Sequence, residues 1–167
     1  MAKAPRYALE AYLTQLRGEK DQAWKALGAA QTKLTAEEAK KAALEAEHTE
    51  LEARHRQYMA DYWNGLREGA LSGAQIESRR VHLEGIASDT RDKKREILAQ
   101  ERAVVRATQA VEQAKTVYVG FANELEIHEE KKAEWMRGLA REEARKEQRA
   151  LEDIALARHV RRQRGGS

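Results

Sequence analysis

Cysteine is absent from this 167-residue chain, which excludes a disulfide scaffold, a cysteine-held metal and thiol redox chemistry. Proline occurs once, at Pro5, so no later position forbids helix. Phenylalanine also occurs once, and aromatics make up 5% against 35% charged residues, which leaves little to fill a globular core. There is no apolar run near the roughly 18 residues a membrane span needs, and no apolar stretch of the secretory signal type. A cytoplasmic protein that meets a membrane only indirectly is therefore the expectation. Ser/His/Asp constellations, phosphate-binding loops and dinucleotide-type glycine patterns are also missing. We expect no catalytic residue, no cofactor and no small-molecule substrate.

What is present is helix-forming. Ala, Glu, Lys, Leu and Arg supply 99 of the 167 residues, above the roughly 50% that marks coiled coils and long helices. From Leu9 a three-four spacing runs through Leu13, Leu16, Ala23, Leu27, Leu34, Leu44, Leu51 and Tyr58 to Tyr62. A second runs from Ile76 through Leu83, Ile86, Ile97, Val104, Ala107, Val111, Tyr118, Phe121, Leu125 and Trp135 to Leu139. A 3.5-residue period held this long specifies a left-handed supercoil. Between the two runs lie Gly65, Gly69 and Gly73, and Ser72-Gly73-Ala74-Gln75 matches a capping box that starts a helix. The reading is all-α: a long antiparallel two-helix coiled-coil hairpin with a C-terminal helical overhang. Its expected parts are helix one at 6–66 (roughly 90 Å at 1.5 Å per residue), a turn at 67–73, helix two at 74–139, a basic helical tail at 140–164 and a disordered 165–167. Thr35-Ala36-Glu37-Glu38 also resembles a capping box, but the seam passes through it in phase, so a break there is the weaker reading.

Folding at the turn opposes positions whose numbers add to about 141, placing Tyr58 near Leu83, Ala30 near Val111 and Leu16 near Leu125. The middle of the seam is polar, since Glu37, Lys41, His48 and His55 fall on it, and polar core positions fix register at a cost in stability. Local softness is expected there.

Three constellations invite a functional reading. Glu45-x-x-His48 and Glu52-x-x-His55 have di-iron spacing, but they lie on one helix instead of on facing ones, so histidines that fall on a heptad seam are the favoured reading and no metal is expected. Residues 137 to 164 carry nine Arg or Lys against five acids, and Arg158, Arg161, Arg162 and Arg164 cluster at the end. Nucleic acid is one reading, but interleaved acids and the lack of an aromatic platform favour a solvated or protein-binding tail. Finally, Tyr58, Tyr62 and Trp63 crowd the positions just before the turn. The tyrosines either close the core or join Trp63 in a partner-binding patch, and both readings stay open.

The stretch Tyr58-x-x-x-Tyr62-x-Asn64-Gly65-Leu66, followed by Leu71-Ser72-Gly73-Ala74 and a second long helix, resembles the FliJ/YscO (SctO) family of flagellar and type III secretion export. The Arg-rich ending is similar to the Hrp-type injectisome branch. The resemblance implies a non-enzymatic stalk at the cytoplasmic face of the secretion apparatus, between the hexameric secretion ATPase and the cytoplasmic domain of the export gate, which also escorts substrate chaperones. By that likeness Tyr58, Tyr62 and Trp63, with Leu83 and Ile86 across the hairpin, form or support the gate-binding face. Leu13, Leu16, Phe121, Leu125 and Trp135 lie at the end that enters the ATPase ring. One departure is that the positions matched to Leu83 and Ile86 are aromatic in the flagellar branch. The alternative is a coiled-coil adaptor or nucleic-acid-binding protein working through its basic tail. Self-association through the unpaired overhang is compatible with either.

Overall fold

A computed structural model describes residues 5–165. The described residues form two helices and no strand, α1 (Glu10–Arg67) and α2 (Gly73–Arg164), joined by one short turn into an all-α helical hairpin. Pro5 stands outside α1. The Glu10 N–H donates to the Tyr7 carbonyl at 3.1 Å, and Glu10 places an acid in the first turn, where the helix dipole favours it. The helix continues without interruption through Thr35, whose hydroxyl donates to the Gln31 carbonyl at 3.1 Å instead of capping a new helix.

Local chemistry makes the turn. At the end of α1 the Gly69 N–H donates to the Leu66 carbonyl and the Ala70 N–H to the Gly65 carbonyl, both at 3.2 Å, the paired bonds of a Schellman motif. That motif needs a left-handed residue, and Gly69 supplies it with φ 66°. Three residues later the capping box forms in both directions. The Gln75 N–H donates to Ser72 Oγ at 3.3 Å, and the Ser72 N–H donates to Gln75 Oε1 at 2.9 Å. Leu71 then folds back on Gly65 so closely that a Cβ there would stand 2.9 Å from Leu71 Cδ1.

The chain packs as two compact units, one uniting the chain up to Gln22 with the chain from Tyr118 onward, the other spanning Ala23–Val117. In the first, Leu13, Leu16 and Leu125 form a buried cluster, with Tyr7, Tyr12 and Phe121 packed against it. Leu13 and Leu16 are essentially inaccessible, and burying each is worth about 1.5–3 kcal/mol. In the second, Ala23, Leu27, Leu83, Ile86 and Ala107 are buried. Among the described residues all eight buried apolar ones lie on the two seams read from the sequence. Five pairings across the helices share one register, Glu10 with Lys132 and Tyr12 with His128 in the first unit and Lys41 with Glu101, Glu47 with Lys93 and Tyr58 with His82 in the second, numbers that add to 140 or 142, while longer side chains such as Gln100 and Arg17 reach up to about one turn away from it.

On α1 no residue beyond Leu27 is buried, and polar groups there add to the packing of half-buried Leu34, Leu44 and Leu51. Gln100 Nε2 donates to the Glu37 backbone carbonyl at 2.9 Å and also to its carboxylate, Lys93 reaches Glu47 at 2.9 Å, and Lys41 reaches Glu101 at 3.4 Å. Beyond Leu139 every described residue is exposed. The Gly165 N–H closes α2 on the Arg161 carbonyl at 3.0 Å. Of the chain end expected to be disordered, 165–167, Gly165 is thus described as a hydrogen-bonded turn, and Gly166 and Ser167 lie outside the described residues.

Candidate partner-binding surfaces

The last turns of α1 carry Tyr58, Met59, Tyr62 and Trp63 next to the glycine turn, on backbone that the Schellman motif terminates. Trp63 is 56% exposed and Tyr58 43%, while Tyr62 is half-buried and packs edge-on against Trp63 at 5.8 Å between ring centroids. Tyr58 sits edge-on to His82 of α2 at 4.7 Å. Asp61, Ser78 and Arg79 complete a groove of about 290 Å³ with Tyr58, His82 and Leu83, and Arg79 Nη1 approaches the Asp61 carbonyl at 3.5 Å. Leu83 and Ile86, 8% and 6% exposed, lie in the core and offer a partner almost no surface. Any part they play in the face passes through the side chains they hold up.

Met59, Asp61 and His82 are surface residues of this region that sequence reasoning passed over, and Arg79, a seam position by its spacing, is exposed as well. The register could have found His82, because the partner number for Tyr58 falls on Leu83 and its neighbour stands beside the ring. Nothing in the spacing marks Met59. Beside the groove, Arg80 bonds Glu77 at 2.8 Å, and that carboxylate raises the guanidinium pKa above its ordinary value.

At the end formed by the start of α1 and the later part of α2, Leu13, Leu16 and Leu125 are likewise core, so they build this end without facing outward. Phe121 and Trp135 are half-buried, Trp135 lying against Tyr7 at 5.3 Å. A shell of polar contacts surrounds the cluster. Lys132 pairs with Glu10 at 2.6 Å and Arg17 with Glu129 at 3.0 Å. The Tyr12 hydroxyl donates to Glu124, a bond that raises the phenol pKa. His128 stands edge-on to Tyr12 with a buried Nδ1 that has no partner among the described residues.

Arg158, Arg161, Arg162 and Arg164 are all exposed, and the last three occupy the final turn of α2, where the helix dipole favours cations. Part of this cluster is thus explained by helix termination alone. His48 Nδ1 lies 3.9 Å from Glu52 Oε2. Among the described residues, no group of three His, Cys, Asp or Glu side chains comes together as a metal site would require. None of the helices is long and apolar enough to cross a membrane.

Among curated proteins no relative matches the chain. In solved structures it is similar to CT670 of Chlamydia trachomatis, described there as a proposed YscO homolog, with a TM-score of 0.77 and 22% identity over 93% of this chain and 95% of that one. That likeness speaks for the fold. The model of the YscO-like protein family matches residues 4–165, nearly the whole chain. A helical hairpin that carries this family's pattern from end to end belongs to the YscO-like family, the stalk-like, coiled-coil components of type III secretion.

Proposed function

We propose that this protein is a non-enzymatic coupling stalk that links the hexameric secretion ATPase to the cytoplasmic domain of the export gate, works at the cytoplasmic face of the secretion apparatus and escorts substrate chaperones. The observation that carries the reading is the aromatic group at the turn. Tyr58, Tyr62 and Trp63 offer large, partly exposed rings on a backbone stopped by a Schellman motif and backed by buried Leu83 and Ile86. Rigid aromatics of this kind anchor partners at little entropic cost. They form the gate-binding face, with Met59 and His82 beside them. The opposite assignment, Phe121 and Trp135 over the Leu13, Leu16 and Leu125 cluster as the part that enters the ATPase ring, follows from the same family likeness. A hairpin without internal symmetry contacts the subunits of a symmetric ring unequally. It thereby biases them towards different states, and any partner that senses the bias is coupled to them.

The test is binding of the double variant Tyr58→Ala, Tyr62→Ala to the cytoplasmic domain of the gate. Circular dichroism should be unchanged while affinity falls by at least tenfold, the loss of one or two hot-spot residues. Wild-type affinity in the folded double variant would remove the proposal. Deletion of residues 140–167 separates it from the adaptor reading, because gate binding survives if the turn is the contact and disappears if the tail is.

A further inference from the structure

Past Leu139, α2 runs on to Arg164 with no second helix of the described residues beside it, and its four larger apolar residues stay in solvent, Leu151 at 67% exposure. Of the four, Leu151 and Ile154 fall on one seam, while Leu156 and Val160 lie off it. Ala140, Ala144, Glu147, Leu151, Ile154, Arg158 and Arg161 follow the three-four spacing of a coiled-coil seam, displaced by one residue from the seam that ends at Leu139. We propose that this overhang pairs antiparallel with the overhang of a second copy of the chain.

The charges choose the occupant and its direction. With a two-fold axis between residues 152 and 153, positions whose numbers add to about 305 oppose each other. Leu151 then meets Ile154 of the second copy twice over, and Glu147 meets Arg158 on both sides of that apolar centre. Ala150, Ala155 and Ala157 flank the seam and let the backbones approach, and Glu143 reaches Arg164 at its edge. Arg141 opposite Arg162 is the one like-charged contact. A parallel pair would instead stack Glu147 on Glu147 and Arg158 on Arg158, which like-charge repulsion opposes. An anionic membrane fits poorly, because Glu143 and Glu147 share the face of Leu151. The proposal does not depend on the gate or the ATPase.

Two Leu–Ile layers are a small core beside the roughly 1,600 Å² of a standard interface, so the association is weak, with Kd in the ~10–1,000 μM range. Sedimentation equilibrium of the full-length chain up to about 1 mM should therefore show the apparent mass climbing from 19.0 kDa towards twice that value. Glu147→Arg places like charges together on both sides and should weaken association at least tenfold. The swap Glu147→Arg with Arg158→Glu should restore it, and Arg162→Glu, which removes the one repulsive contact, should strengthen it. All these positions are exposed, so helicity serves as an internal control for folding. A mass that stays at 19.0 kDa throughout, association untouched by Glu147→Arg, or a charge swap that fails to restore it would each overturn the proposal.

Discussion

Gly65 and Gly69 stand four residues apart in one turn, yet they do different things. Gly69 is held at φ 66°, where a Cβ costs roughly 1–2 kcal/mol, and a Cβ there would meet nothing within 4 Å. Gly65 has ordinary helical backbone, and its constraint is the side chain of Leu71. Gly69→Ala should therefore lower the urea midpoint by the equivalent of about 1 kcal/mol. Gly65→Ala should be close to neutral, because a helix-propensity gain of about 1 kcal/mol offsets the shift that the half-buried Leu71 must make. Equal losses in both variants would show that the turn does not depend on the left-handed residue. The sequence made the glycines conspicuous by their spacing. It did not say which one bends the chain, since that depends on the hydrogen bonds each accepts or donates once the turn has closed.

At the scale of the helices, the polar middle is where the hairpin answers to pH. Gln100 donates to Glu37 and, with Lys40 beside it, holds that carboxyl below its ordinary range. A carboxylate whose pKa is lowered on folding contributes stability that is complete above its unfolded pKa and is lost as pH falls through the folded value. Glu47 and then Glu96 raise Lys93, and Glu101 and then Glu45 raise Lys41. A raised lysine contributes below its unfolded pKa, and that contribution is lost as pH rises through the folded value. Thermal unfolding followed by circular dichroism should thus show a broad plateau of stability around neutrality, falling in acid below the ordinary glutamate pKa and in strong base above the ordinary lysine pKa. Gln100→Leu should flatten the acid limb by removing the largest cause of the Glu37 shift. An unaltered acid limb in that variant would assign the loss to other carboxylates. The softness expected of this stretch is consistent with α1 burying no residue after Leu27 and with ion pairs that solvent screens.

Taken as a whole molecule, the chain spends its apolar residues unevenly. Among the described residues the buried ones all lie between Leu13 and Leu125, and those after Leu139 are exposed. Deleting residues 140–167 should leave the dilute-solution unfolding midpoint within about 0.5 kcal/mol of the full-length value while removing a share of the helical signal. A large fall in the midpoint would mean that the overhang folds back on the hairpin. The same economy bears on function. With few buried side chains to spare, Leu83, Ile86, Leu13, Leu16 and Leu125 are committed to holding the helices together, and partners are left with the rings and charges around them.

The sequence by itself determined the fold class, the place of the turn and the pairing register. Helix periodicity, capping chemistry and the three-four seam are local properties, and in a hairpin one turn converts them into which seam positions lie opposite each other. Only the tertiary structure decided which residues of each candidate surface are available. Leu83 and Tyr58 are expected to oppose each other on the two predicted seams, but one is buried between the helices while the other leans outward on His82. A heptad pattern gives the direction of a side chain to within a sector, whereas exposure depends on the size and tilt of what the opposing helix places there.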